Sequence, residues 1–116
     1  VAVGDENDEW IPQDTEIIVD SVFGFSFSGK DGVRQPYASL IQAMNKAAKE
    51  YKAEICCVDI PSGWDVELGP DPSCTTIKVE SPKMVISLTA PKMGIKEFGG
   101  VHYVGGRFVP EKLANE

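Results

Sequence analysis

Two short runs of β-branched and apolar residues, separated by one amphipathic segment, narrow what this chain can fold into more than any other feature. The first run, Glu16-Ile17-Ile18-Val19-Asp20-Ser21-Val22-Phe23, has the composition of a strand covered on both faces, and Gly24 ends it. Between Pro36 and Tyr51 the residues Tyr37, Leu40, Ile41, Met44, Ala47, Ala48 and Tyr51 recur at three- and four-residue steps, which is the stripe of a helix burying one face. Pro36 suits the first helical turn, and Lys49 and Lys52 complement the dipole at the far end. Ile55-Cys56-Cys57-Val58-Asp59-Ile60 is the second run, stopped by Pro61 and Gly63. Strand, helix, strand makes a βαβ unit, whose right-handed crossover leaves the two strands parallel.

Residues 61–83 are rich in Pro, Gly, Ser and Asp, a long excursion of the kind that in a small domain signals function or disorder. A third strand is expected over Met84–Leu88, a short helical stretch up to Phe98, a last strand over Val101–Val104 and a terminal helical turn from Pro110. The class is therefore α/β, a Rossmann-like open, mostly parallel sheet flanked by helices. Both early strands read as central and in need of cover on two faces, yet only one substantial helix is encoded. The domain is thus expected to be incomplete, its N-terminal half lying upstream of Val1 or on another chain. Within the chain, residues 1–15 read as an acidic lead-in or linker and residues 16–116 as the C-terminal portion of the domain.

Charge limits the partners. The net charge of -7 resides in residues 1–20, which carry seven acids and no base, while the remainder carries eleven of each. Nucleic-acid binding is not expected, because phosphate backbones are held by clustered Lys and Arg and no basic run exists. Neither is a membrane span, since no apolar stretch approaches ~20 residues. Cys56, Cys57 and Cys74 form no CxxC pair, which suits a reducing compartment, and the adjacent two read as core packing.

In an open parallel sheet the ligand sits beyond the carboxyl ends of the strands, so the residues just after each strand are the candidates. Asp20 with the loop Gly24-Phe25-Ser26-Phe27-Ser28-Gly29-Lys30 follows the first strand, Asp59 with Pro61-Ser62-Gly63 the second, and Thr89 to Lys92 the third. The glycines, hydroxyls and N–H groups of the first loop suit a phosphate or ribose, although the spacing is not that of a Walker loop. A carboxylate at the end of an apolar strand, as at Asp59, must be hydrogen-bonded or act as an acid or base, because burying it unpaired is costly. Asp20 serves equally as a cap on its own loop. His102, in the last strand, reads as structural or surface.

Four strings then carry a resemblance: Val19-Asp20-Ser21-Val22-Phe23-Gly24-Phe25-Ser26-Phe27, Val58-Asp59-Ile60-Pro61-Ser62-Gly63-Trp64-Asp65-Val66, Ser87-Leu88-Thr89-Ala90-Pro91-Lys92 and Gly105-Gly106-Arg107-Phe108-Val109-Pro110. In this order they closely resemble the NAD(P)HX epimerases, the YjeF N-terminal domain. The resemblance implies an isomerase that interconverts the R and S hydrates of NADH and NADPH (NADHX and NADPHX) for repair by a separate dehydratase. It also implies a potassium ion held by Asp20 and Ser62, substrate contacts from Gly24 to Lys30 and at Asp59, Asp59 as the acid/base, and a homodimer in the cytoplasm or mitochondrion. The family's Asn-rich phosphate loop is not in this sequence, so this portion by itself is expected to be inactive. The alternative reading is a non-catalytic YjeF-like binding module, of the mRNA-decapping scaffold or apolipoprotein-binding type.

Overall fold

The structure is a computed structural model that describes residues 10–23, 32–71 and 77–105. Its four strands, β1 (Ile17–Asp20), β2 (Glu54–Val58), β3 (Pro82–Leu88) and β4 (Val101–Gly105), form one sheet in the order β1-β2-β3-β4. Each neighbouring pair is parallel. One α-helix, α1 (Tyr37–Glu50), links β1 to β2. This is the α/β arrangement expected from the sequence, with the strands in chain order.

Several boundaries differ from the expected ones for local reasons. β1 stops at Asp20 because the Asp20 carboxylate turns back to accept the Val22 N–H at 3.3 Å, drawing the backbone out of the ladder. Helix α1 keeps Lys49 in its last turn, but Lys52 lies beyond the C-cap Tyr51 in the left-handed region at φ 62. Its buried stripe is Ala38, Ile41, Met44 and Ala47, whereas Tyr37 is exposed. Tyr37 instead packs edge-on against Phe23. The stretch toward Phe98 is only a 3-10 turn, Met93–Ile95, because the Gly94 N–H is taken by the Val66 carbonyl at 2.8 Å. The turn foreseen at Pro110 lies outside the described residues.

Register decides which side chains are covered. Ile18 pairs with Ile55, Asp20 with Cys57, and Cys57 with Val85, which puts these residues on the face beneath α1. The core there joins Ile41 and Met44 of the helix to Ile55, Cys57, Val85, Ile60, Trp64, Val79 and Ile95. Side chains of the opposite face alternate with these. Among them Ile17 and Val19 are exposed by 61% and 63%, and no described helix covers them. Among the described strands β1 is an edge rather than a central strand.

The excursion after β2 is a built structure in its described parts. The Trp64 indole N–H donates to the Val79 carbonyl at 2.8 Å, and the Val79 N–H donates to the Ser62 carbonyl at 2.9 Å. Asn45, on α1, clamps the same segment from the other side, donating to the Lys78 carbonyl at 2.7 Å and accepting the Glu80 N–H at 3.0 Å. Asp65 and Gly69 close a small antiparallel bridge, and Ile11 of the lead-in packs on the core.

Candidate functional site

All four strands point the same way, so β1, β2 and β3 deliver their following residues to one edge of the sheet. Asp20 and Ser62 meet there. The Asp20 carboxylate accepts the Ser62 N–H at 2.7 Å on Oδ2 and the Ser62 hydroxyl at 2.5 Å on Oδ1. With its proton directed at Asp20, Ser62 Oγ accepts the Phe23 N–H at 3.1 Å. Both side chains are fully buried, and no Lys or Arg among the described residues pairs with Asp20. A buried carboxylate without a counter-charge is expensive to keep. Its field is felt by Cys57, the cross-strand neighbour, whose thiol is pushed up chiefly by burial and then by the charge of Asp20 and a hydrogen bond to it.

Gly63 makes this meeting sterically feasible. It has φ 89, and a Cβ there would lie 2.6 Å from both the Ile77 carbonyl oxygen and the Lys78 Cα. Only a residue without a side chain lets residues 61–64 pass so close under that backbone.

Asp59 occupies an unusual turn. Its φ is 72, and the Ile60 N–H donates across it to the Val58 carbonyl at 3.0 Å, closing a three-residue turn of the strained kind. One strand over, Thr89 repeats the device at φ 68, with the Ala90 N–H donating to the Leu88 carbonyl at 2.8 Å. The sheet holds both residues in place, because the Asp59 N–H donates to Ile86 and the Thr89 N–H to Gly105, each at 2.7 Å. For Thr89, which is β-branched, a positive φ is a genuine outlier. Strain stored at two neighbouring strand ends belongs with a working site more than with a bare connection.

The Asp59 carboxylate is nearly inaccessible, and neither oxygen accepts a hydrogen bond among the described residues. Its partner is the Lys92 ammonium, 3.0 Å from Oδ1 but not aligned as a hydrogen-bond donor. Asp59 thus does not join the Asp20–Ser62 pair, but is engaged from the β3 side. That pairing was not foreseen, although Lys92, just past the third strand, carried the cue. Gly24 to Lys30 lie outside the described residues. His102, exposed on β4, lies with Nε2 2.7 Å from the buried Ser87 hydroxyl, which is a structural role.

Comparisons with known proteins agree on a single family. Residues 2–94 match the family described as YjeF-related protein N-terminus. The NAD(P)H-hydrate epimerase of Anopheles gambiae is 46% identical over 106 residues, covering 90% of this chain and 42% of the relative. That of Aedes aegypti is 45% identical over 109 residues, covering 93% and 43%. Among solved structures, the yeast protein ynu0, YNL200c, superposes with a TM-score of 0.65 at 41% identity, over 85% of this chain and 39% of its own. The chain spans about two fifths of the length of these relatives.

Proposed function

Because the chain belongs to the family of YjeF-related protein N-termini, we propose that it carries the acid/base and ion-holding edge of an NAD(P)H-hydrate epimerase. The substrates in this reading are NADHX and NADPHX. Carbon 6 of the hydrated ring bears a hydroxyl beside the ring nitrogen, and its inversion requires loss of that hydroxyl or opening of the ring, then return from the other face. A single placed carboxylate serves by exchanging one proton with the substrate and recovering it, a contribution typically worth ~10² to 10⁴ in rate. Asp59 suits that task because it is buried, strained into position and, among the described residues, accepts no hydrogen bond that would compete for its lone pairs.

A potassium ion fits the Asp20–Ser62 pair. The donors are hard oxygens, one of them a buried carboxylate with no Lys or Arg partner among the described residues, which is the chemistry an alkali cation takes, by extension from hard divalent ions. When bound, it would neutralise the edge and favour the negative groups of a dinucleotide there. No group of three or more His, Cys, Asp or Glu that could hold a metal exists among the described residues, so further oxygens would come from elsewhere. The wider reading includes substrate contacts along Gly24 to Lys30 and at Asp59, a homodimer, and a separate dehydratase that repairs the hydrates, in the cytoplasm or mitochondrion.

The observation that carries the proposal is the buried carboxylate of Asp59, which accepts no hydrogen bond among the described residues, on a strained turn at the ligand edge. Its test is chromatographic separation of the R and S forms of NADHX incubated with the complete gene product that bears this chain. The wild type should equilibrate them and Asp59→Ala should not; equal rates would remove Asp59 from its role.

A further inference from the structure

We propose that Lys92 is a positioning residue for the proton exchange assigned to Asp59, holding the carboxylate at its working angle; the proposal rests on the epimerase reading above. Among the described residues Asp59 accepts no hydrogen bond from backbone or side chain, so no donor network fixes its orientation. The charge of Lys92, 3.0 Å away, does so instead. An ion pair without an aligned hydrogen bond steers the carboxylate while leaving its lone pairs open to a substrate proton.

Lys92 is itself held in place. Its ammonium has three N–H groups, and besides Asp59 it meets the Ala90 carbonyl at 3.2 Å and the Leu88 carbonyl at 3.4 Å. Both carbonyls flank Thr89, the second residue at positive φ. The strained turn at the end of β3 therefore aims two carbonyls at Lys92, and Lys92 transmits that placement to the strained turn at the end of β2. Two neighbouring strand ends with the same backbone device are coupled through one cation. The Asp59 side chain is 4% exposed and that of Lys92 24%, so the pair opens toward solvent on the lysine side. A pair serving stability alone needs no strained backbone at the ends of both strands.

The experiment uses the complete gene product carrying this chain and follows NADHX epimerisation at steady state. Lys92→Ala is expected to lower kcat roughly 10- to 100-fold, the cost of a misplaced catalytic group, with KM changed less than about threefold because Lys92 acts through Asp59 and not on the substrate. Lys92→Arg should restore a measurable part of kcat, and added ethylammonium should raise the Lys92→Ala rate, which a merely structural role would not allow. Should Lys92→Ala fail to fold, Lys92→Met carries the same test, and failure of both assigns the pair to stability and overturns the proposal. An unchanged kcat in a folded Lys92 variant, alongside an inactive Asp59→Ala, also overturns it while leaving the epimerase reading intact. A wild type that does not epimerise NADHX defeats that reading, and the role of Lys92 with it.

Discussion

Replacing Gly63 with alanine tests whether the tight passage beneath residues 77 and 78 is what holds Ser62 against Asp20. The φ of 89 puts the new Cβ in the left-handed region, which costs a non-glycine residue roughly 1–2 kcal/mol. Contacts of 2.6 Å to the Ile77 oxygen and the Lys78 Cα are with backbone that has no rotamer to change, and relieving such overpacking costs about 1–3 kcal/mol more. Together these give a loss of about 2–5 kcal/mol, a large part of the ~5–15 kcal/mol that holds a domain. Gly32 supplies the control: at φ 67 it has nothing within 4 Å of its ideal Cβ, so Gly32→Ala should lose only the backbone part. Urea unfolding of both variants measures the difference; with m near about 1.5 kcal/mol/M, the Gly63 midpoint should fall by about 1–3 M. Equal losses in the two variants would show that the contacts relax freely and that the passage is not what constrains Ser62.

Other outcomes follow from the same geometry. The Cys57 thiol is raised by burial and by Asp20, so the folded state keeps a proton that the unfolded chain releases near its ordinary value of ~8.5. Stability from this group is complete below that pH and declines above it by about 1.4 kcal/mol per unit; urea titrations from pH 8 to 10 should show the slope, and Cys57→Ala should abolish it. If Asp20 and Ser62 hold potassium, potassium chloride should raise Tm over choline chloride at equal ionic strength, by linkage worth ~2.7 kcal/mol at 100 times Kd. Ser62→Ala should lose that difference. Val19→Ser, on the uncovered face, should change stability by less than about 0.5 kcal/mol while reducing the binding of a hydrophobic dye to the isolated chain.

The β-branched runs and the three- and four-residue stripe led correctly to parallel strands and one helix, because both signals come from local side-chain spacing. Asp20, Asp59 and Ser62 were legible as strand-end residues for the same reason. Sheet position was less so: Ile17 and Val19 are as apolar as a central strand requires, and among the described strands β1 lies at an edge, in a chain that spans about two fifths of its relatives' length. The turns at Asp59 and Thr89 were equally hidden, because a positive φ at an aspartate or a threonine leaves no compositional mark as it does at a glycine. Lys92 was visible as a residue after β3, but its tie to Asp59 depends on two adjacent strands ending level. Ser87 and His102 likewise meet only through the pairing of β3 with β4.

Asp20 and Ser62 are 42 residues apart in the chain, with a helix and a strand between them. Bringing such distant points together carries an entropic toll of loop closure that no local turn can offset beforehand. The contact should accordingly arise late in folding, after α1 has docked and β1 and β2 have aligned. A collapsed state with its helix formed but its strands unregistered would lack this contact altogether, which makes the joining of Asp20 to Ser62 a time stamp for completion of the native sheet.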